Sequence, residues 1–304
     1  MSVNTSVRDC VIIGAGPAGL SAALNLVRAR RSTLVLDSNR PRNSATFSSH
    51  GFLSRDGISP LELRRLGREE LEAYPEAAYE KSVVSSVTSD GSRFTVTHSG
   101  GTVDAATIVL ATGLREIFPK LPTLRAFYGT SIHSCMECDG YEYADRPIAL
   151  IGESADLAER ALLLSQWSAD LVVFTNDSSA VTPEQQLDLE ARGIRIDRRA
   201  VADVTGDRDG LNGVQLTDGE VVPREAAFVR PQFETALDYV SDLGLTLDAE
   251  GYVAVDTEGR TSVSGVYAIG DLTPPGPTQL IVAAGRGARV ASIINRDLLA
   301  IPGR

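Results

Sequence analysis

The stretch Asp9-Cys10-Val11-Ile12-Ile13-Gly14-Ala15-Gly16-Pro17-Ala18-Gly19 decides the fold of this chain. Asp9 to Ile13 reads as a buried strand, and the glycines that follow are spaced GxGxxG. Gly14 permits a tight turn, Gly16 lets backbone approach a pyrophosphate, and Gly19 lets helix pack closely on strand. A helix is expected over Leu20 to Ala29, then a second strand, Thr33 to Leu36, ending at Asp37. The N-terminus of that helix, entered through Pro17 and Ala18, offers free N–H groups and partial positive charge to phosphates. Asp37 is placed to accept ribose hydroxyls. A glycine triad alone is a weak signal, because a chance turn can carry one. Here strand, helix and terminal acid follow in order, and the reading is dinucleotide binding.

Two later segments favour FAD as that dinucleotide. Thr107 to Leu110 reads as a buried strand running into Ala111-Thr112-Gly113. Far downstream, the run from Thr261 to Ile269 is a strand-like segment ending in Gly270-Asp271, followed by a helical pattern from Thr278 to Leu299. A Gly-Asp at a strand end can set a carboxylate on the ribityl chain of a flavin, and the next helix can aim its N-terminus at the ring. The plainer alternative for Asp271 is a turn acid.

The second chemical signal is Cys135-Met136-Glu137-Cys138-Asp139-Gly140. Two thiols two residues apart can close a small disulfide ring, and one thiolate can attack what the other has bonded, so the pair can carry two electrons. The chain holds three cysteines in all. Cys10 lies in an apolar run, so a Cys₄ zinc site lacks its second pair. A Cys₂His₂ site would have to recruit two of His50, His98 and His133, which lack finger-like spacing. An incidental reduced pair is the remaining alternative.

At 304 residues the chain is long enough for two domains, or for one interrupted by another. Its 43% hydrophobic and 23% charged content is that of a soluble globular protein. A formal charge of −11 argues against a nucleic-acid partner, which needs a clustered basic face. Met1 to Asp9 has no apolar signal core, and no run approaches transmembrane length, so a cytoplasmic location is expected. In that compartment a CxxC is more often catalytic than structural.

The order of GAGPAG, ATG, CMECDG and TSVSGVYAIGD resembles the low-molecular-weight thioredoxin reductase family of flavoproteins, over essentially the whole chain. The resemblance implies an α/β fold with two Rossmann-like three-layer domains, one inserted in the other, in a homodimer. FAD would sit in the outer, split domain and the CxxC in the inserted one. Cys138 would be the thiol nearer the flavin, Cys135 the one exchanging with substrate, and Asp139 the proton carrier. Gln279 would lie where the last helix meets the flavin, with plain helix capping as its alternative.

The outer domain is expected over residues 1–117 and 244–304, and the inserted domain over 118–243. In the outer one, Ser59-Pro60 should start a helix through Tyr74, and Tyr79 to Thr107 should form an antiparallel meander turning at Asp90-Gly91 and Gly100-Gly101. In the inserted one, Pro147 to Ile151, a helix from Leu157 to Trp167 and a strand from Leu171 to Phe174 repeat the strand–helix–strand plan. There the fingerprint is damaged: the chain reads Gly152-Glu153-Ser154-Ala155-Asp156-Leu157. Glu153 brings a carboxylate close to where a diphosphate would lie, and like charges about 4 Å apart repel by about 4 kcal/mol near a protein surface. Arginines for a 2′-phosphate are also absent after Phe174, with no Lys or Arg from Ala161 to Ala191. Asp177 leaves weak NADH binding open.

If the nucleotide is lost while FAD and the thiols remain, electrons need another route. A substrate dithiol can reduce the Cys135–Cys138 disulfide, with oxygen as final acceptor. Alternatively, a thioredoxin reductase acting on a thioredoxin-like protein can draw on NADPH or on a donor such as ferredoxin. The loop Arg40-Pro41-Arg42-Asn43 with Ser49-His50-Gly51-Phe52-Leu53-Ser54-Arg55-Asp56-Gly57 resembles that of FAD-dependent dithiol oxidases acting on gliotoxin- and holomycin-type dithiols. This favours oxidation of a small dithiol, although Met136-Glu137 and Asp139 depart from the pattern of those oxidases. A non-catalytic flavoprotein that senses redox state is the rival of another class. His50 and His133 are candidate proton relays, with ordinary structural roles as the alternative.

Overall fold

A computed structural model describes residues 7–276 and 279–301. The described chain divides into two compact units. One, the outer unit, holds the residues up to Ser44, Gly51–Arg115 and the residues from Phe233 onward; the other, the inserted unit, holds Ala45–His50 and Glu116–Gln232. Ala45–His50 runs against Gly129, where a Cβ would come within 2.4 Å of the Ala45 carbonyl. Glycine is therefore required at Gly129, and its φ of 85° lies in the left-handed region as well.

In the outer unit the strands Arg8–Ile13, Thr33–Asp37 and Ala77–Lys81 run parallel beside Gly101–Leu110. Gly101–Leu110 pairs with three strands. Its first half pairs antiparallel with Phe94–His98, and its second half pairs parallel with Arg8–Ile13 and Val266–Ala268. One face is covered by the helices Pro17–Arg28 and Leu280–Asp297 around Ile12, Leu26, Val109 and Ile294. The other packs Val11, Leu34, Ile108 and Leu110 against Val87, Val96 and Val240.

The inserted unit repeats this arrangement. Five strands, in the order Arg195–Asp197, Leu171–Phe174, Ile148–Ile151, Ala226–Val229 and Ile132–His133, are all parallel. The helices Leu157–Leu164 and Pro183–Ala191 lie on one face, and the meander Val201–Asp207, Gly210–Leu216, Val221–Pro223 contributes to the core on the other. The mixed α/β class and the Rossmann-like plan expected from the sequence are observed.

Several elements differ in extent from expectation. The first helix begins at Pro17 and ends at Arg28, because proline is favoured at the first helical position. Residues Ala77–Lys81 extend the parallel sheet, so the meander starts only at Val84. The helix expected through Tyr74 is Pro60–Glu72, and Ser59 precedes it without a side-chain capping bond. The helix expected through Trp167 stops at Leu164. The last helix is Leu280–Asp297; Thr278, its expected start, lies outside the described residues. No described helix is long and apolar enough to cross a membrane.

Candidate active site

The glycines of the first turn have three different surroundings. A Cβ at Gly14 would meet the Ala111 carbonyl oxygen at 2.3 Å, and one at Gly19 would meet the Gly14 carbonyl oxygen at 1.9 Å. These two allow strand, helix and Ala111 to close on one another. Gly16 differs: a Cβ there would meet nothing within 4 Å. It forms the extended N-cap of Pro17–Arg28, so the unbonded N–H groups of that helix start face an open backbone patch. Gly270 closes on this turn from the far end of the chain, where its Cβ would lie 3.0 Å from that of Ala18. Asp271 accepts from Arg42 at 2.7 Å, and the Gly270 carbonyl accepts from Arg286 at 3.2 Å. Thr112 meets the Tyr239 hydroxyl at 3.4 Å, and Gly113 is left-handed with open space where a Cβ would be. Gln279 is exposed at the N-cap of the last helix and makes no side-chain capping bond.

Asp37 is more engaged than its motif suggests. Its carboxylate accepts from the Ala15 N–H (3.1 Å), the Asn39 N–H (3.1 Å), Arg64 (2.6 Å) and Tyr79 (3.2 Å). A carboxylate has about four acceptor positions, so a ribose hydroxyl would share this group with the turn it braces. Arg64 was not singled out from the sequence. The signal was its place on the inner stripe of an amphipathic helix, with Pro60 and Leu71, where a buried arginine needs partners.

Cys135 and Cys138 form a disulfide with Cα atoms 5.2 Å apart, across the single helical turn Met136–Asp139. The Asp139 N–H donates to the Cys135 carbonyl at 3.3 Å, and the Gly140 N–H donates to that of Met136 at 2.7 Å. Gly140 lets the turn close on Trp167, whose ring would lie 2.7 Å from a Cβ. Asp139 faces His133 Nδ1 at 3.2 Å. His50 faces Glu142 at 3.3 Å. Cys10 is the opposite kind of thiol: it is fully buried, and burial pushes its pKa up to about 12, so it stays protonated and unreactive. No cluster suited to a metal occurs among the described residues.

In the inserted unit the corresponding turn is filled by its own side chains. A Cβ at Gly152 would lie 2.9 Å from the Leu157 side chain, which is fully buried. Ser154 donates to Asp156, which pairs with Arg230 at 3.3 Å. Glu153 accepts from the Asn176 amide, whose oxygen accepts the Val201 N–H at 2.8 Å. After Phe174 the chain turns through Asn176 and Asp177, both left-handed. Arg199 is engaged by Asp197, Asp218 and Glu220, and Arg198 by Gln186 and the Val181 carbonyl.

Residues 8–287 match the family model described as pyridine nucleotide-disulphide oxidoreductase. A thioredoxin reductase of Streptomyces clavuligerus is 31% identical over 98% of this chain and 96% of its own length. Among solved structures, HlmI superposes with a TM-score of 0.92 at 36% identity, covering 97% of this chain and 93% of that one. A putative thioredoxin reductase TrxB from Bacillus anthracis superposes with a TM-score of 0.91 at 35% identity, covering 96% and 99%. With glycine turn, parallel sheets and disulfide all in place, the chain belongs to the pyridine nucleotide-disulphide oxidoreductase family.

Proposed function

We propose that the protein is an FAD-dependent oxidase of small dithiols. One observation carries the reading: the second dinucleotide turn is occupied by Glu153, Ser154, Asp156 and Leu157, while the first is open at Gly16. FAD fits the first. Gly14, Gly16 and Gly19 with Pro17 and Ala18 would cradle its diphosphate, and Asp37 its ribose. Ala111, Thr112 and Gly113, with Gly270, Asp271 and Gln279, would border the remainder. NADPH does not fit the second, where carboxylates stand against its phosphates and the guanidiniums near the strand ends are already paired.

A substrate thiolate attacks Cys135, the Cys135–Cys138 bond breaks, and the second substrate sulfur displaces Cys135 from the mixed disulfide. The substrate loses two electrons and two protons and leaves as a disulfide, with the sulfur pair reduced. FAD bound in the outer unit supplies the two-electron relay by which oxygen becomes hydrogen peroxide. Asp139 holds or releases a proton as the neighbouring sulfur changes charge. Two protomers in a homodimer are part of this reading.

The names of the relatives support a second reading, a thioredoxin reductase driven by NADPH or by another donor and acting on a thioredoxin-like protein. Stopped-flow bleaching of the flavin without air separates the two. Rapid bleaching by dithiothreitol and none by NADPH is expected; rapid bleaching by NADPH overturns the oxidase. Cys138→Ser should keep the flavin and lose all bleaching by dithiol, and retained turnover would remove Cys138 from its role.

A further inference from the structure

We propose that His133 and Asp139 hold one proton between them, and that this shared proton, placed by His133, is the one Asp139 delivers during exchange at the Cys135–Cys138 pair. The proposal rests on the dithiol–disulfide chemistry above, in either electron direction.

The argument is one of donor and acceptor counting. His133 ends the short strand Ile132–His133 and is 6% exposed, with its ring tilted against Tyr143 at 5.3 Å and Phe228 at 5.9 Å. Its Nε2 lies 3.1 Å from the Thr130 carbonyl oxygen, which only accepts, and 3.4 Å from the Tyr143 hydroxyl. Tyr143 already donates its own hydrogen to that same carbonyl. Both neighbours therefore present lone pairs to Nε2, and Nε2 must carry the hydrogen. In a neutral ring Nδ1 is then bare, and it faces the Asp139 carboxylate at 3.2 Å. Two bare lone pairs facing each other at that distance in a half-dry site cost free energy, so the resting pair does not adopt that state. One proton lies between them, either on the acid or on the ring. The pair thus holds one proton more than a free aspartate beside a neutral histidine.

The charged and titratable groups around the pair are few. Tyr143 faces Nε2; burial and the negative charge of Asp139 hold its own proton on. Glu142 and Arg146 flank Tyr143, with the Arg146 guanidinium over its ring, and Glu137 lies earlier on the turn of Asp139. The strand Ala226–Val229 contributes the apolar Phe228. Arg160 donates to the Ser134 carbonyl at 3.0 Å and interacts with Glu137, and among the described residues the ion-pair partner of Asp139 is His133.

The proton balance then closes. When a thiolate opens the disulfide at Cys135, Cys138 leaves as a thiolate and takes the shared proton as S–H, leaving aspartate beside neutral His133. When the second substrate thiol attacks the mixed disulfide, its proton returns to the pair. His133 touches neither sulfur in this scheme; it is a positioning residue acting through Asp139.

The test follows the sulfur pair alone. Flavin-loaded protein is opened anaerobically by dithiothreitol across a pH series, and free thiols are trapped by alkylation and counted by mass. Rates are corrected for the thiolate fraction of dithiothreitol. In the native chain the corrected rate should fall as pH rises. His133→Asn, which can donate to Asp139 but cannot hold the proton, should flatten that fall and slow opening about tenfold at the acid end. Asp139→Asn should do the same, and the double variant should add nothing. A pH profile unchanged in His133→Asn overturns the proposal. Nitrogen NMR of His133 gives a second, independent reading: a neutral ring with its hydrogen on Nδ1 overturns it, whereas Nε2–H or imidazolium supports it. Neither measurement uses oxygen or NADPH, so a result against the dithiol oxidase leaves this one intact, and the reverse also holds.

Discussion

The two strand–turn–helix segments, Ile13 to Gly19 and Ile151 to Leu157, start from one backbone plan and reach opposite states. Both follow a fully paired parallel strand and open a helix against a parallel sheet. In the first, Gly14 and Gly19 bring backbone against backbone and leave Gly16 bare to its surroundings. In the second, Leu157 fills the space above Gly152, and Asp156 and Glu153 are tied to Arg230 and Asn176. An open glycine turn therefore needs more than one missing side chain. It needs contact glycines that pull the elements together and a third glycine that nothing covers.

Substitution at the open position should have the largest effect. Gly16→Val should eliminate bound flavin, seen as loss of visible absorbance, while costing about 1 kcal/mol or less of stability, because a Cβ there meets no atom within 4 Å and the change mainly loses N-cap preference. Ser154→Val, its counterpart, should leave the flavin untouched. A fully yellow Gly16→Val would place the cofactor elsewhere.

Next in size come the contact positions, where the two turns should respond in opposite ways. Gly19→Ala adds a methyl 1.9 Å from a carbonyl oxygen and should cost about 1–3 kcal/mol by overpacking. Leu157→Ala removes a fully buried side chain and should cost about 2–5 kcal/mol by leaving a cavity. Urea midpoints of the two variants check both. Equal tolerance of both substitutions would mean the turns are packed alike.

A smaller change should come from partial repair of the closed turn. Glu153→Gly removes the nearest repulsive carboxylate and should tighten NADH binding by about tenfold, or about 1.4 kcal/mol, by titration calorimetry. NADPH should gain less, because the guanidiniums of Arg198 and Arg199 are already engaged by Gln186, Asp197, Asp218 and Glu220. Comparable gains for both would reveal a phosphate site that the paired arginines conceal.

The smallest effect concerns acid stability, where the units should behave alike. Hydrogen bonds from Arg260 and Tyr267 hold the Asp297 carboxyl below its usual range, and Arg199 does the same for Asp197. A lowered carboxylate stabilises the fold above its unfolded value and loses that contribution as pH falls toward its folded one. Asp297→Asn and Asp197→Asn should each make acid unfolding less steep by about 1 kcal/mol or less. Thermal melts from neutral to acid pH read this directly.

How far the sequence carried varied with the physics involved. Local signals held where chemistry is local. The GxGxxG turn lies between its strand and helix because each glycine is required by its own backbone surroundings, and the CxxC closes because two intervening residues suffice. The damage at Gly152–Leu157 was equally visible, since Glu153 and Leu157 carry charge and bulk wherever the turn goes. Other features needed the chain brought together. Asp37 read as a free ribose acceptor, because nothing in its own segment showed that Arg64, Tyr79 and Asn39 converge on it. Arg42 and Asp271 are far apart in sequence, and only the sheet order sets them within one ion pair. Ala77–Lys81 looked like a hairpin strand because its partner, Thr33–Asp37, lies across a helix rather than a turn.

By itself, then, the sequence determined the α/β class, the glycine turn Gly14–Gly19, the closing CxxC pair and the side chains that replace two glycines at Ser154 and Leu157, all of which depend on residues close together along the chain. Tertiary structure alone decided the contact of Asp139 with His133, the bracing of Asp37 and the place of Ala45–His50 against Gly129. Each of these depends on which polar group finds which partner once water is excluded. That choice is made by packing, not by spacing.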